Sequence, residues 1–449
     1  MKPKETELKL TAARSLCGLT LSIFTIFSQA EAGTIGNANW TPLGSGMNGS
    51  VLALAVSGSN LYAGGSFTNS TGSNYVARWD GSSWTQVGAG MNGAVRALAV
   101  SGNTLYAGGS FIWLGGNPVN YIARWNGTNW TGIVGGVNCD VYALVVSDTN
   151  LYVGGCFTTA SGTLVNHVAR YNGSFWNAIG PGLTNSTGGI VNTLAVSGSD
   201  VYAGGNFTKA GTTVVNYIAK WDGTSWSALG SGMGGGVLRF VDTLAVSGSD
   251  LYAGGLFWWA TNSGGVSVTA SNIAKWSGGA WTSLGSGLTV NLGANASAVS
   301  GNDVYVGGSF QYAGGNATSA IAKWDGTNWT ALGSGVVGGN PSTVYAMAVS
   351  GNDLYVGGAF TNAGGKACAR IARAYLGTVP ALSIGRSGPD AVVSWPSADT
   401  QDFALEQTAS LAAAASWVSN NASLADDGTN KWVTLSATNP AQFFRLRRP

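Results

Sequence analysis

Short apolar runs alternate with small polar turns along most of this chain, and the alternation has a fixed phrase. The run VLALAV (51–56) is followed by the turn SGSN and then by LYAGGSF (61–67). A polar stretch leads to YVARWD (75–80), a second tight turn, and a last short run that opens at Trp84. Branched, unbroken apolar runs suit strands covered on both sides, and the turn clusters supply residues that tolerate positive φ. One phrase therefore predicts four antiparallel strands in succession.

The phrase recurs. LYAGGSF returns as LYAGGSF (105–111), LYVGGCF (151–157), VYAGGNF (201–207), LYAGGLF (251–257), VYVGGSF (304–310) and LYVGGAF (354–360). The steps between its tyrosines are 44, 46, 50, 50, 53 and 50 residues. Repetition at that period marks a solenoid, propeller or array, and four-stranded units point to a β-propeller.

Fourth-strand tryptophans fall at Trp40, Trp84, Trp130, Trp176, Trp226, Trp281 and Trp329. The first precedes any complete unit, while the last unit ends at IARAY (371–375) without one. The sequence thus predicts a seven-bladed β-propeller in which the strand at 40–44 is the outer strand of the last blade, removing two exposed edges. After Gly377 the phrase stops, and AVVSWP, FALEQT, KWVTLS and QFFRLRRP read as strands of a small β-sandwich-like module over 380–449.

Gly-Gly closing the second strand, an aromatic followed by Asp or Asn in the third, and a fourth-strand Trp resemble kelch-type propeller repeats. The wording LYAGGSFTxAGG with IAKWDGTxWxxLGSG is similar to the delta-60-like repeats of large secreted bacterial proteins. The resemblance covers about 40–376 and implies a propeller; kelch-like propellers host both enzymes and binding modules.

The N-terminus changes the picture of location. Lys2, Lys4, Lys9 and Arg14 precede an apolar run from Leu16 to Phe27, and Ala30-Glu31-Ala32 supplies small residues for cleavage. This reads as a signal peptide over 1–32, a propeller over 33–377 and a secreted or cell-surface protein. No other run is long and apolar enough for a transmembrane helix. Of the cysteines that remain, Cys139 and Cys156 lie diagonal to one another if Val146 pairs with Leu151, a possible disulfide near the upper limit of bridging distance.

Composition narrows the chemistry. The net charge is +2, only 9% of residues are charged, and no basic run interleaved with aromatics suggests nucleic-acid binding. His167 is the single histidine, too few for the clustered ligands of a transition-metal centre. The propeller region has no Glu, and its ten Asp residues belong to repeated turns except Asp140 and Asp242. The reading is of no cofactor and no metal site, with a polysaccharide-active enzyme using Asp140 or Asp242 as the alternative.

Seven cations, Arg78, Arg124, Arg170, Lys220, Lys275, Lys323 and Arg373, share one third-strand position. Local pairing with turn aspartates is the structural reading; a basic annulus for an anionic polymer is the functional one. The turns between strands one and two and between three and four are short and nearly invariant, whereas the connections on the other side vary. Those variable loops carry Trp113, Trp258, Trp259, Arg239, Phe240 and Tyr312, the candidate ligand-binding residues. The sequence therefore suggests a monomeric, non-enzymatic recognition or adhesion protein for a carbohydrate or an extracellular protein. A structural cell-surface component is the third reading.

Overall fold

The computed structural model describes residues 35–447 apart from 69–73, 89, 237, 290–292, 378–379, 381, 398–402, 410–416 and 437–442. The leader expected over 1–32 lies outside the described residues. The chain divides into two compact units, Ala32–Gly377 and a second that holds Thr378–Pro449.

The first unit is all-β and propeller-like, a succession of four-stranded antiparallel sheets. Sheet 1 is Val51–Ser57, Asn60–Thr68, Asn74–Trp79 and Trp84–Gln86. Sheets 2 to 6 repeat that order, opening at Val95–Ser101, Val141–Ser147, Ile190–Ser197, Phe240–Ser247 and Ala294–Ser300. Sheet 7 joins Thr343–Ser350, Asp353–Ala359 and Ile371–Tyr375 to Trp40–Pro42, with Trp40 opposite Ala374 and Pro42 opposite Ala372. The orphan strand at the start of the repeats thus completes the last of them.

The two glycines of the recurring phrase have separate jobs. A Cβ on the first would collide with the opening side chain of the next sheet: Gly64 faces Val95, Gly108 faces Val141, Gly154 faces Val191, Gly204 faces Val241 and Gly307 faces Val344. Gly357 of sheet 7 faces Val51 of sheet 1 in the same way. The second glycine sits against the backbone carbonyl just before its own inner strand, Ser50 for Gly65 and Asp140 for Gly155. Its N–H donates to the residue just before strand three, as Gly155 does to the His167 carbonyl at 3.1 Å and Gly205 to that of Tyr217 at 3.0 Å. Those acceptors have left-handed backbone, φ 73° at His167 and 75° at Tyr217. Neither glycine has room for a side chain, which is why the pair survives in all seven copies.

The fourth-strand tryptophans join one sheet to the next. Each indole Nε1 donates to a carbonyl just beyond the preceding fourth strand: Trp84 to Leu43 at 2.9 Å, Trp130 to Val87 at 2.7 Å, Trp176 to Val134 at 2.9 Å and Trp226 to Ile179 at 2.9 Å. Trp281 reaches Leu229 and Trp329 reaches Leu284, both at 2.8 Å, and Trp40 reaches Leu332 at 3.0 Å. The apolar core lies between sheets: one cluster packs Leu43, Val51, Leu61 and Phe67 against Ile371 of sheet 7. The Phe that ends the phrase is at most 1% exposed in every copy.

The second unit has two small antiparallel sheets. Ser383–Ser387, Asp390–Pro396, Asn430–Ser436 and Leu424–Asp426 form one; Val418–Ser419, Ala404–Thr408 and Phe443–Arg447 form the other. Val393, Trp395, Leu405 and Val433 are its core. Arg445 stacks over Trp417 and pairs with Glu406 at 2.6 Å.

Candidate functional site

The segments between strands two and three are not irregular loops. In six sheets they fold as two-stranded hairpins, Trp113–Leu114 with Asn117–Pro118 being the first among the described residues. Gly-Gly at 115–116, 314–315 and 364–365 takes positive φ at both turn positions, the geometry that two-residue hairpins favour. Each hairpin also pairs backward with the connection arriving from the previous sheet: Gly232–Gly234 with Trp259–Thr261, Leu288–Thr289 with Tyr312–Ala313, and Val336–Val337 with Asn362–Ala363. The connections that vary in length and sequence are therefore regular hairpins. Repeated Gly-Gly in the phrase TxAGG was the available signal, and it specifies a regular element.

Alternation along these hairpins sorts the side chains. Leu114, Ala160, Ala210, Ala260, Ala313 and Ala363 are buried, and the residue before each is turned the other way. That outward position is Trp113 in sheet 2, Trp259 in sheet 5 and Tyr312 in sheet 6, which are 46%, 40% and 44% exposed. Sheets 3, 4 and 7 have Thr159, Lys209 and Asn362 there, with exposed Leu164 and Val214 as cross-strand partners of the first two. Trp113, Trp259 and Tyr312 are therefore equivalent positions on separate sheets.

Sheet 5 carries the most developed arrangement. Trp259 lies on the strap Gly234-Gly235, where a Cβ on either glycine would strike its indole ring. Trp258 donates its backbone N–H to Gly234 O at 2.9 Å, and its ring meets that of Trp259 edge-on, 6.3 Å between centroids and 66° between planes. Arg239, exposed, donates from Nε to Gly236 O at 3.1 Å and ties down the far end of the strap. Two exposed indoles thus meet at an angle, one of them seated on backbone. Phe240 departs from expectation: it is half-buried in the inner strand opposite Leu256, because the apolar alternation of that strand extends one residue further than its turn signals imply.

A second group lies where the inner strands begin. Each carries a bulge, the register shifting between Val51 and Ala53 and at corresponding points in the other sheets. The bulged residues are Leu52, Arg96, Tyr142, Asn192, Asp242, Asn295 and Tyr345, all half-buried. Arg96 lies over the Tyr142 ring, donates to Ser110 Oγ at 2.9 Å and faces Asp140 at 3.6 Å; Ser110 donates to Asp140 at 2.6 Å. Asn192 Nδ2 donates to Asp242 Oδ1 at 2.8 Å, and burial pushes the Asp242 carboxyl up to about 7 against that hydrogen bond. Asp140 and Asp242 stand on sheets 3 and 5, and the first is neutralised by Arg96. Each carboxylate thus has its own partner, Arg96 and Ser110 for Asp140 and Asn192 for Asp242.

Cys139 and Cys156 form a disulfide with Cα atoms 5.5 Å apart, in the middle of the usual range rather than near its limit. Val146 does pair with Leu151, and the bulge between Val141 and Ala143 draws Cys139 toward its partner. His167 is buried, its pKa lowered mainly by that burial, and its Nδ1 has no hydrogen-bond partner. Among the described residues no group of three or more His, Cys, Asp or Glu is placed to hold a metal ion. No helix among them is long and apolar enough to cross a membrane.

The chain matches no known protein-family model and no curated protein. Among solved structures it is similar to a computationally designed protein, Ika8, with a TM-score of 0.41 and 17% identity over 74% of this chain and 98% of that one.

Proposed function

We propose that this is an exported, non-enzymatic recognition protein, a closed seven-bladed propeller that binds carbohydrate through the exposed aromatics of its outer hairpins. The observation that carries the reading is the Trp258–Trp259 corner on its glycine strap. A flat apolar face held open at the surface suits the C–H face of a sugar ring, and pre-ordering lowers the entropic cost of binding. Trp113 and Tyr312 repeat the outward aromatic position on sheets 2 and 6, which suits a ligand with repeating units.

The seven-blade count is supported by the Gly–Val seats and Trp–carbonyl bonds, both of which run from sheet to sheet and return from sheet 7 to sheet 1. Export is supported by the composition of the leader and by the Cys139–Cys156 disulfide, since such bonds persist in oxidising compartments.

The test is a panel of neutral glycans presented to the protein and to the triple variant Trp113→Ala, Trp258→Ala, Trp259→Ala. Capture falls at least about tenfold in the variant while its melting temperature holds. Equal capture by both proteins overturns the assignment, and capture of proteins but no glycan moves the ligand class.

A further inference from the structure

The seven third-strand cations do not behave alike. Each stands opposite the phrase tyrosine of its own sheet, from Tyr62 with Arg78 to Tyr355 with Arg373. In sheets 4 to 7 the cation has a carboxylate partner in the first turn: Lys220 with Asp200 and Lys275 with Asp250 at 2.6 Å, Lys323 with Asp303 at 3.1 Å, Arg373 with Asp353 at 3.8 Å. Sheets 1 to 3 have Asn60, Thr104 and Asn150 where the others have Asp. Among the described residues no carboxylate lies within salt-bridge distance of Arg78, Arg124 or Arg170.

We infer that Arg78, Arg124 and Arg170 form a binding arc for the carboxylate or sulfate groups of an acidic polysaccharide. It lies at the end of the sheets opposite the aromatic hairpins, so it is a second site, independent of the neutral-glycan reading. Had the cation served only its turn aspartate, sheets lacking the aspartate would have no use for it. They keep it, and as Arg, where three of the four paired positions are Lys. Arg presents a planar fork to oxyanions, and Lys a point charge.

The guanidinium groups of sheets 1 and 2 have few internal partners. Arg78 Nε–H is buried without an acceptor, and Arg124 Nε donates only to Thr131 Oγ1 at 3.3 Å. Two carboxylates belong to turns of sheets 1 to 3. Asp80 accepts from the backbone N–H and hydroxyl of Ser82 and Ser83, which hold its pKa down, and Asp148 is exposed in the first turn of sheet 3. The matching position to Asp80 is neutral in sheets 2 and 3, where Asn126 and Asn172 make the turn. Sheets 4 to 7 add Asp222 and Asp325 to their four pairing aspartates, so the cationic character is confined to one arc. Three cations at one register on successive sheets present a short row of positive charge. They are few for a nucleic acid, which releases many counterions per binding event.

The experiment measures retention of the full chain on immobilised alginate, heparin and neutral dextran at low salt, with a DNA duplex as competitor. Retention on alginate or heparin, lost as NaCl is raised and absent on dextran, is the expected result. The Arg78→Gln, Arg124→Gln, Arg170→Gln variant binds at least about threefold more weakly, and Lys220→Gln, Lys275→Gln binds as the parent does. Circular dichroism melts on both variants establish that they fold; single Arg→Gln variants replace the triple if it does not. Alginate and heparin separate carboxylate from sulfate preference. No retention of the parent, retention unchanged in the folded Arg variant, or displacement by DNA at equal strength overturns the arc.

Discussion

The indole Nε1 of Trp40 donates to the carbonyl of Leu332 at 3.0 Å, bonding two residues 292 apart in sequence. Trp40 is fully buried and also supplies the fourth strand of sheet 7, so one side chain carries both the pairing and the link to sheet 6. Trp40→Ala removes a large buried ring and leaves a carbonyl without its donor, costing about 3–5 kcal/mol for the ring alone. Trp40→Phe keeps most of the packing and should cost less. Urea denaturation of both variants checks the order; a Trp40→Ala protein as stable as the parent contradicts the joining role of this strand.

The Cys139–Cys156 disulfide predicts a thiol count. Denatured, unreduced protein beginning at Gly33 shows one reactive thiol, from Cys368, and three after reduction. Replacing both bridged cysteines with Ser lowers stability by about 2–4 kcal/mol, as for other loops of comparable length. Three thiols before reduction would exclude the bridge.

Much of this architecture was legible in the sequence, and the reasons differ by element. Four strands per unit can be read because each phrase places apolar runs, short turns of Ser, Gly, Asn, Asp or Thr, and a Trp in fixed order. The orphan strand followed from counting tryptophans. The hairpins after the phrase are not legible in the sequence, because two-residue strands are too short to show a period and Gly-Gly alone reads as loop. The inner-strand bulges were equally hidden: in VLALAV every residue is apolar, so a slip of one position leaves no trace. That slip is what places Arg96, Asn192 and Asp242 at equivalent points, and it also explains why Asp242 escaped the turn pattern. The cation series was visible as a series, but its division into paired and unpaired arcs depends on which turns carry Asp, one residue each.

Asp242 predicts a pH dependence. An unfolded Asp loses its proton near 3.8, whereas the folded carboxyl keeps its proton up to about 7. Between those values the folded protein holds the extra proton, so this group's contribution to stability falls as pH rises through the window and levels off above it. Asp242→Asn stays neutral throughout and can still accept from Asn192. The melting temperature of the variant relative to the parent should therefore be higher at pH 8 than at pH 4. A difference that does not change with pH would show that the carboxyl is ionised in both states.

Sheet 7 imposes an order on biosynthesis. Its inner three strands are the last of the repeats to be made, and its outer strand, Trp40–Pro42, is among the first. Sheets 1 to 6 can stack on one another as they emerge, each seated on the glycine of its predecessor, in the manner of an array that grows by neighbours. The segment at 40–42 has to wait unpaired through all of that growth. Only when residue 375 is free can the nascent chain pair Trp40–Pro42 with Ile371–Tyr375, so a holding factor acting on this protein would have its longest task at the N-terminal strand.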